Sequence, residues 1–169
     1  MTVYYMVRRA GTHKTKLYPE CDIASSVYIG KDVDIKHNVT IRDDTSIGNN
    51  VYIGYHVYIG KNVSIGDDVT IKDYAVIRDG SSINQGVSIG TRSYVGNNAM
   101  VSDHVTCGQD SHILDGAVIS SKVMIDRDVI IGMDAVIGAR SIIGAHARVS
   151  DDVSLANDMV VKTGTRIIK

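Results

Sequence analysis

From Leu17 to Ile167 every sixth residue is aliphatic, with one exception. Of the 26 positions read at this interval, 19 are Ile, 4 Val and 2 Leu, and the last is Cys107. No insertion breaks the count. The residue two before each is small or β-branched in nearly every case, as in Val27-Tyr28-Ile29 and Val51-Tyr52-Ile53. Each unit therefore reads as a three-residue strand, V-x-I, with both aliphatic side chains inward and the middle one outward. The residue after is often Gly (Gly30, Gly48, Gly54, Gly60). Three residues after each aliphatic position, 19 of 25 slots hold Asp, Asn, Gly or His, the types that tolerate left-handed backbone. Short strands turning at a regular corner, with nothing helical between them, make a parallel β-solenoid.

Composition agrees with a narrow interior. Hydrophobic content is 44%, yet Phe and Trp are absent, as expected if each layer has room for Ile and Val but not for a large ring. Net charge is −1, which supplies no global field for nucleic acid or an anionic membrane surface. No apolar run approaches the length of a membrane span. The opening Met1–Arg9 stretch is too short for a signal-peptide core and carries its charge on the wrong side, so a cytoplasmic protein is expected.

The V-x-I-G-x-x pattern resembles the hexapeptide-repeat family of left-handed parallel β-helices, over about nine tenths of the chain. The resemblance implies an all-β triangular solenoid with a left hand and three hexads per coil. The hexads then make an uninterrupted prism of about 8–9 coils, roughly 40 Å long at about 4.8 Å per coil. Many members carry a C-terminal helix; none is expected here, because the chain stops inside its last hexad. Residues 1–16 fall outside the clean register. Val3, Tyr5 and Val7 alternate and Gly11–Lys14 reads as a turn, so this segment is expected to be an N-terminal strand and cap over the first coil, with 17–169 as the repeat domain. Cys21 and Cys107 occupy inward slots nearly five coils apart, roughly 23 Å, and cannot form a disulfide.

With 18 residues per coil, outward residues fall into three columns. Two of them turn from polar to apolar near residue 90. Met100, Val118 and Val136 lie across one corner from Met124, Ile142 and Val160. An outward apolar patch of this kind marks an interface, and the family commonly forms homotrimers, so a three-fold axis is expected beside this corner.

Candidate chemistry is sparse. His56, His104 and His146 occupy the corner slot, where each is explained as a turn residue. His104 stands out because its corner lies between the two apolar columns and Asp103 precedes it. His112 faces outward on the third column, and His37 and His13 read as solvated. Arg42 and Arg78 share a corner column two coils apart, with Gly60 between them and Lys61 alongside. A glycine gap flanked by guanidiniums suits a phosphate or carboxylate. His104, His112 and Arg140 are the corresponding candidates for a ligand held between subunits. Hexapeptide-repeat enzymes most often transfer an acyl group from a coenzyme A thioester, and in that reading His104 is the base, oriented by Asp103. Arg148, Lys162, Arg166 and Lys169 would then meet the phosphates of the coenzyme. A local resemblance to γ-class carbonic anhydrases appears at Ala75–Gly80, Ile89–Ser93 and Ile131–Ala135. That family's metal histidines are not matched: Val101 is followed by Ser102, and only His104 occurs between Ala99 and Gly108. Zinc needs three protein ligands, so no metal site is expected.

The primary reading is a homotrimeric, non-catalytic scaffold or module that binds a small polar or anionic molecule in inter-subunit clefts, with no certain cofactor and with neither nucleic acid nor membrane as partner. The alternative is a coenzyme A-dependent acyltransferase using acyl-CoA and a small-molecule acceptor. A degenerate relative of the carbonic anhydrases is the third.

Overall fold

The computed structural model describes the backbone of Arg8–Arg9 and all of residues 15–169. The alternating Val3, Tyr5 and Val7 and the turn expected at Gly11–Lys14 lie outside the described residues. Two-residue strands recur every six residues and pair in parallel with the strand one coil away, as Ser64 does with Ser82 and Thr70 with Ser88. Among the described residues they build three parallel sheets of nine strands each. The first runs from Arg8–Arg9 and Tyr28–Ile29 to Ser154–Leu155, the second from Lys16–Leu17 to Val160–Val161, and the third from Asp22–Ile23 to Arg166–Ile167. The chain visits the sheets in turn, giving the expected triangular, left-handed parallel β-helix. No helix of the described residues is long and apolar enough to cross a membrane. Arg8–Arg9 pairs with Tyr28–Ile29, so part of residues 1–16 is the first rung of the first sheet.

Each expected V-x-I strand is realised over its last two residues. The outward residue donates to the carbonyl of the inward residue that opens the next coil's strand, as Asp34 does to Val51 at 2.9 Å. The residue after the strand donates to the next aliphatic carbonyl, as Lys36 does to Ile53 at 2.9 Å. Both aliphatic positions are inward, and from Ile23 to Val153 they are almost fully buried. Burying each Ile is worth about 1.5–3 kcal/mol. Ser or Thr at the first inward position keeps a partner. Thr45 donates to the Gly60 carbonyl at 2.8 Å, Ser81 to that of Gly96 at 2.6 Å, and Ser111 to that of Asp126 at 2.7 Å.

The corners follow the expected chemistry. Among the described residues positive φ occurs at twenty non-glycine residues and four glycines, all in the third slot after the aliphatic position; of these slots only Ser26 lacks it. The glycine in the first slot has a different cause. At Gly54 an added Cβ would collide with the Asp73 carboxylate and would lie 2.7 Å from the Asp73 amide nitrogen. Asp73 needs that space because its carboxylate accepts the otherwise free N–H of Tyr55 at 2.9 Å. The same device joins Asn49 to Lys31, Asp67 to Asn49, Asp115 to Asn97 and Asp151 to Met133. A glycine on one coil thus makes room for an Asx on the next, which caps the turn behind it.

Candidate functional site

His104 occupies the corner between the first and second sheets, at φ 58°. It is exposed, and its ring lies back over Gly86, the residue one coil earlier, whose lack of a side chain leaves room for it. Beyond Gly86 in the same column is Asp68. That carboxyl is held below its usual range, first by a hydrogen bond from Asn50, then by Gln85, with a smaller contribution from the charge of His104. Asp103 makes no hydrogen bond to His104. Its backbone turns it to the adjacent corner slot, so the expected Asp103–His104 pair does not form; the carboxyl that registers the charge of His104 is Asp68, two coils away in the same column. The signal was present in the sequence as a column of 18-residue steps, Asp68-Gly86-His104.

The columns flanking this corner are exposed as expected. Met100 is 52% exposed on the first sheet; Met124, Ile142 and Val160 are 57%, 44% and 66% exposed on the second. Val118 and Val136 are half-buried between their neighbours. The two stripes are not one continuous patch. Between them runs a ridge on which Asp103, His104, Lys122 and Arg140 are all exposed.

The other candidates are dispersed. His112 is on the third sheet, the face opposite this corner, stacked on Tyr94 at 5.8 Å between ring centroids. Arg140 stands on the His104 ridge but is not a free cation: it grips Asp158 with two hydrogen bonds of 2.7 Å and depresses that carboxyl's pKa. Arg42 pairs with Asp22 at 2.9 Å, and Lys61 approaches Asp43 at 4.0 Å. Arg78 lies over the Tyr94 ring at 6.0 Å. The gap at Gly60 expected to admit an anion is filled by the Asp79 carboxylate, which accepts the Lys61 N–H at 3.0 Å. A glycine in a solenoid corner is a space for the next coil's side chain before it is a space for a ligand. His56 stacks on Tyr74 at 4.9 Å and His146 lies 3.7 Å from Asp128. Among the described residues no three His, Cys, Asp or Glu side chains converge as metal ligands.

The fold and the corner can be set beside known proteins. A comparison with curated proteins finds no match. Among solved structures, LpxA, a UDP-N-acetylglucosamine acyltransferase from Bacteroides fragilis, is similar over 91% of this chain and 68% of its own, at 25% identity and a TM-score of 0.71. The UDP-N-acetylglucosamine acyltransferase of Arabidopsis shares the fold over 89% of this chain and 66% of its own, at 14% identity and a TM-score of 0.57. This chain therefore spans about two thirds of the length of either. The family described as the GMPPB C-terminal domain matches twice, over residues 35–122 and again over 73–168, each more than half of the chain. The chain is a hexapeptide-repeat parallel β-helix and belongs to the GMPPB C-terminal domain family.

Proposed function

We propose that the protein is an acyltransferase that moves an acyl group from a coenzyme A-type thioester to a small, hydroxyl- or amine-bearing acceptor. The observation that carries this reading is the similarity, over 91% of the chain, to a solved acyltransferase. The His104 corner supplies compatible chemistry. His104 takes the proton from the acceptor O–H or N–H as the acceptor attacks the thioester carbonyl. The C–S bond breaks, the acyl group forms its new bond to the acceptor, and the departing thiolate takes a proton. Asp68 lies beyond Gly86 in the same corner column as His104.

The reaction needs a cleft, and the stripes on either side of His104 supply one by self-association. They sit on different sheets, so pairing the first-sheet stripe of one copy with the second-sheet stripe of the next is a head-to-tail contact, the kind that closes into rings. A homotrimer is the expected ring, with the acceptor and the thioester between copies near the exposed His104.

A second reading, a non-catalytic module binding a small polar or anionic molecule, is favoured by one observation: from residue 15 onward no segment leaves the coils to shape an acceptor pocket. One experiment separates the two. Acetyl-CoA and longer acyl-CoA thioesters are offered with UDP-N-acetylglucosamine and simple amino sugars as acceptors, and acylated product is followed by mass spectrometry. Turnover that falls at least about 100-fold in His104→Ala, with the oligomer mass unchanged, supports the enzyme. Absence of both thioester binding by calorimetry and turnover refutes it in favour of the module.

A further inference from the structure

Arg148 and Arg166 are register partners on adjacent strands of the third sheet. Their backbones lie about 4.8 Å apart, and both side chains face solvent. Like charges opposite one another across a strand pair repel. Arg42, Arg92 and Arg140 each reach a carboxylate on a neighbouring coil. Arg148 and Arg166 reach none among the described residues.

The pair lines a groove of about 260 Å³ running from the third sheet to the corner that follows it. Leu114 and Ile130 are among its apolar lining, and Ser150 and Asp151, which follow the Arg148–Val149 strand, are its other polar lining. Asp151 is fixed in place because one of its oxygens accepts the Met133 N–H at 2.8 Å. Its second oxygen and the Ser150 hydroxyl have no hydrogen-bond partner among the described residues.

We propose that this groove binds a phosphorylated, hydroxyl-bearing small molecule of the sugar-phosphate class. The phosphoryl oxygens bridge the two guanidiniums, whose planar donors suit that geometry, and relieve their repulsion. A carboxylate in the same groove disfavours a bare anion. It suits a ligand whose hydroxyls donate to Asp151 and exchange hydrogen bonds with Ser150. Leu114 and Ile130 pack against the carbon face of the ring. The groove is smaller than the 300–1,000 Å³ or so typical of sites for drug-sized ligands, a size for one phosphate and one ring. It lies across the prism from His104, so Arg148 and Arg166 are not beside the same copy's His104 to meet coenzyme phosphates as the sequence led one to expect, and the site stands independently of the acyl-transfer reading.

The test is calorimetric titration of the full chain with α-D-glucose 1-phosphate, glucose and inorganic phosphate. Glucose 1-phosphate is expected to bind once per chain with a Kd below about 1 mM, inorganic phosphate more weakly, and glucose not at all. Arg148→Gln and Arg166→Gln should each weaken the sugar phosphate about tenfold or more. Removing either exposed charge relieves the cross-strand repulsion, so neither variant should melt below the wild type. Asp151→Asn keeps the cap on Met133, the role that Asn157 plays for Ala139, and should tighten inorganic phosphate by removing the charge. Absence of saturable glucose 1-phosphate binding up to about 10 mM, or unaltered binding in both arginine variants, overturns the proposal. His104→Ala should bind glucose 1-phosphate as the wild type does, so a failure here is distinguishable from a failure of acyl transfer.

Discussion

Replacing Asp73 tests the device that couples neighbouring coils. Its carboxylate accepts the Tyr55 N–H at 2.9 Å and sits over Gly54. Asp73→Ala removes a charge-assisted hydrogen bond and leaves a turn amide to whatever water can reach it. Bonds to charged groups contribute about 1.5–3 kcal/mol, and Asp73 is half-buried, so a loss of about 1–2 kcal/mol is expected. For a chain of this size that lowers the thermal midpoint by about 2–8 °C. Asp73→Asn is the decisive control. Asn49 and Asn157 already do the same work for Lys31 and Ala139, so Asn at 73 should stay within about 0.5 kcal/mol of wild type. Gly54→Ala should cost about 1–3 kcal/mol by overpacking. In the Asp73→Ala background the cost should shrink without vanishing, because the Asp73 nitrogen, 2.7 Å from the added Cβ, remains. Denaturant unfolding gives the energies, and amide exchange at Tyr55 gives the local readout. If Asp73→Ala and Asp73→Asn are equally stable and Tyr55 exchanges alike in both, the capping argument is wrong.

Val136→Asp or Ile142→Asp, on the two stripes flanking His104, should yield monomers in light scattering, and an unchanged mass would refute the placement of the interface. Asp110 and Asp158 are held below the usual carboxylate range chiefly by Arg92 and Arg140. A depressed folded-state pKa adds stability that is present above the unfolded value near 3.9 and is lost as pH falls through the folded one. The Asp110→Asn/Asp158→Asn double variant should therefore lose less thermal stability than wild type between about pH 5 and pH 2. Identical slopes would show that the pairs contribute nothing, and the difference should shrink in high salt because both pairs are exposed. Burial pushes the Cys107 thiol up to about 12, and burial also raises that of half-buried Cys21. A thiol reagent should therefore leave Cys107 untouched in the native protein at neutral pH and titrate both cysteines only after unfolding; native labelling of Cys107 would mean that the coils open there.

The acyltransferase reading and the solenoid draw on different layers of the chain. The coils, their inward slots and their left-handed corners recur identically along the prism, so they carry the fold and no particular chemistry. Whatever chemistry exists must come from outward and corner side chains. There the polar N-terminal coils and the sticky C-terminal coils part company.

Each hexad settles its own side-chain directions and its own corner. Side-chain alternation along a strand makes Val27 and Ile29 inward and Tyr28 outward. The steric cost of positive φ selects Asp, Asn, Gly or His for the corner. Six-residue regularity makes both repeat until the columns are set. The choice of partner between coils is made only when successive coils stack. Asp79 rather than an anion fills the space at Gly60, Arg140 is taken by Asp158, and His104 leans over Gly86 toward Asp68 instead of meeting its neighbour Asp103. Arg148 and Arg166 are left together without a carboxylate. These contacts join residues about 18 apart in the chain but one strand spacing apart in space, so they depend on how side chains from successive coils share a corner. A hexad read alone carries no record of that sharing.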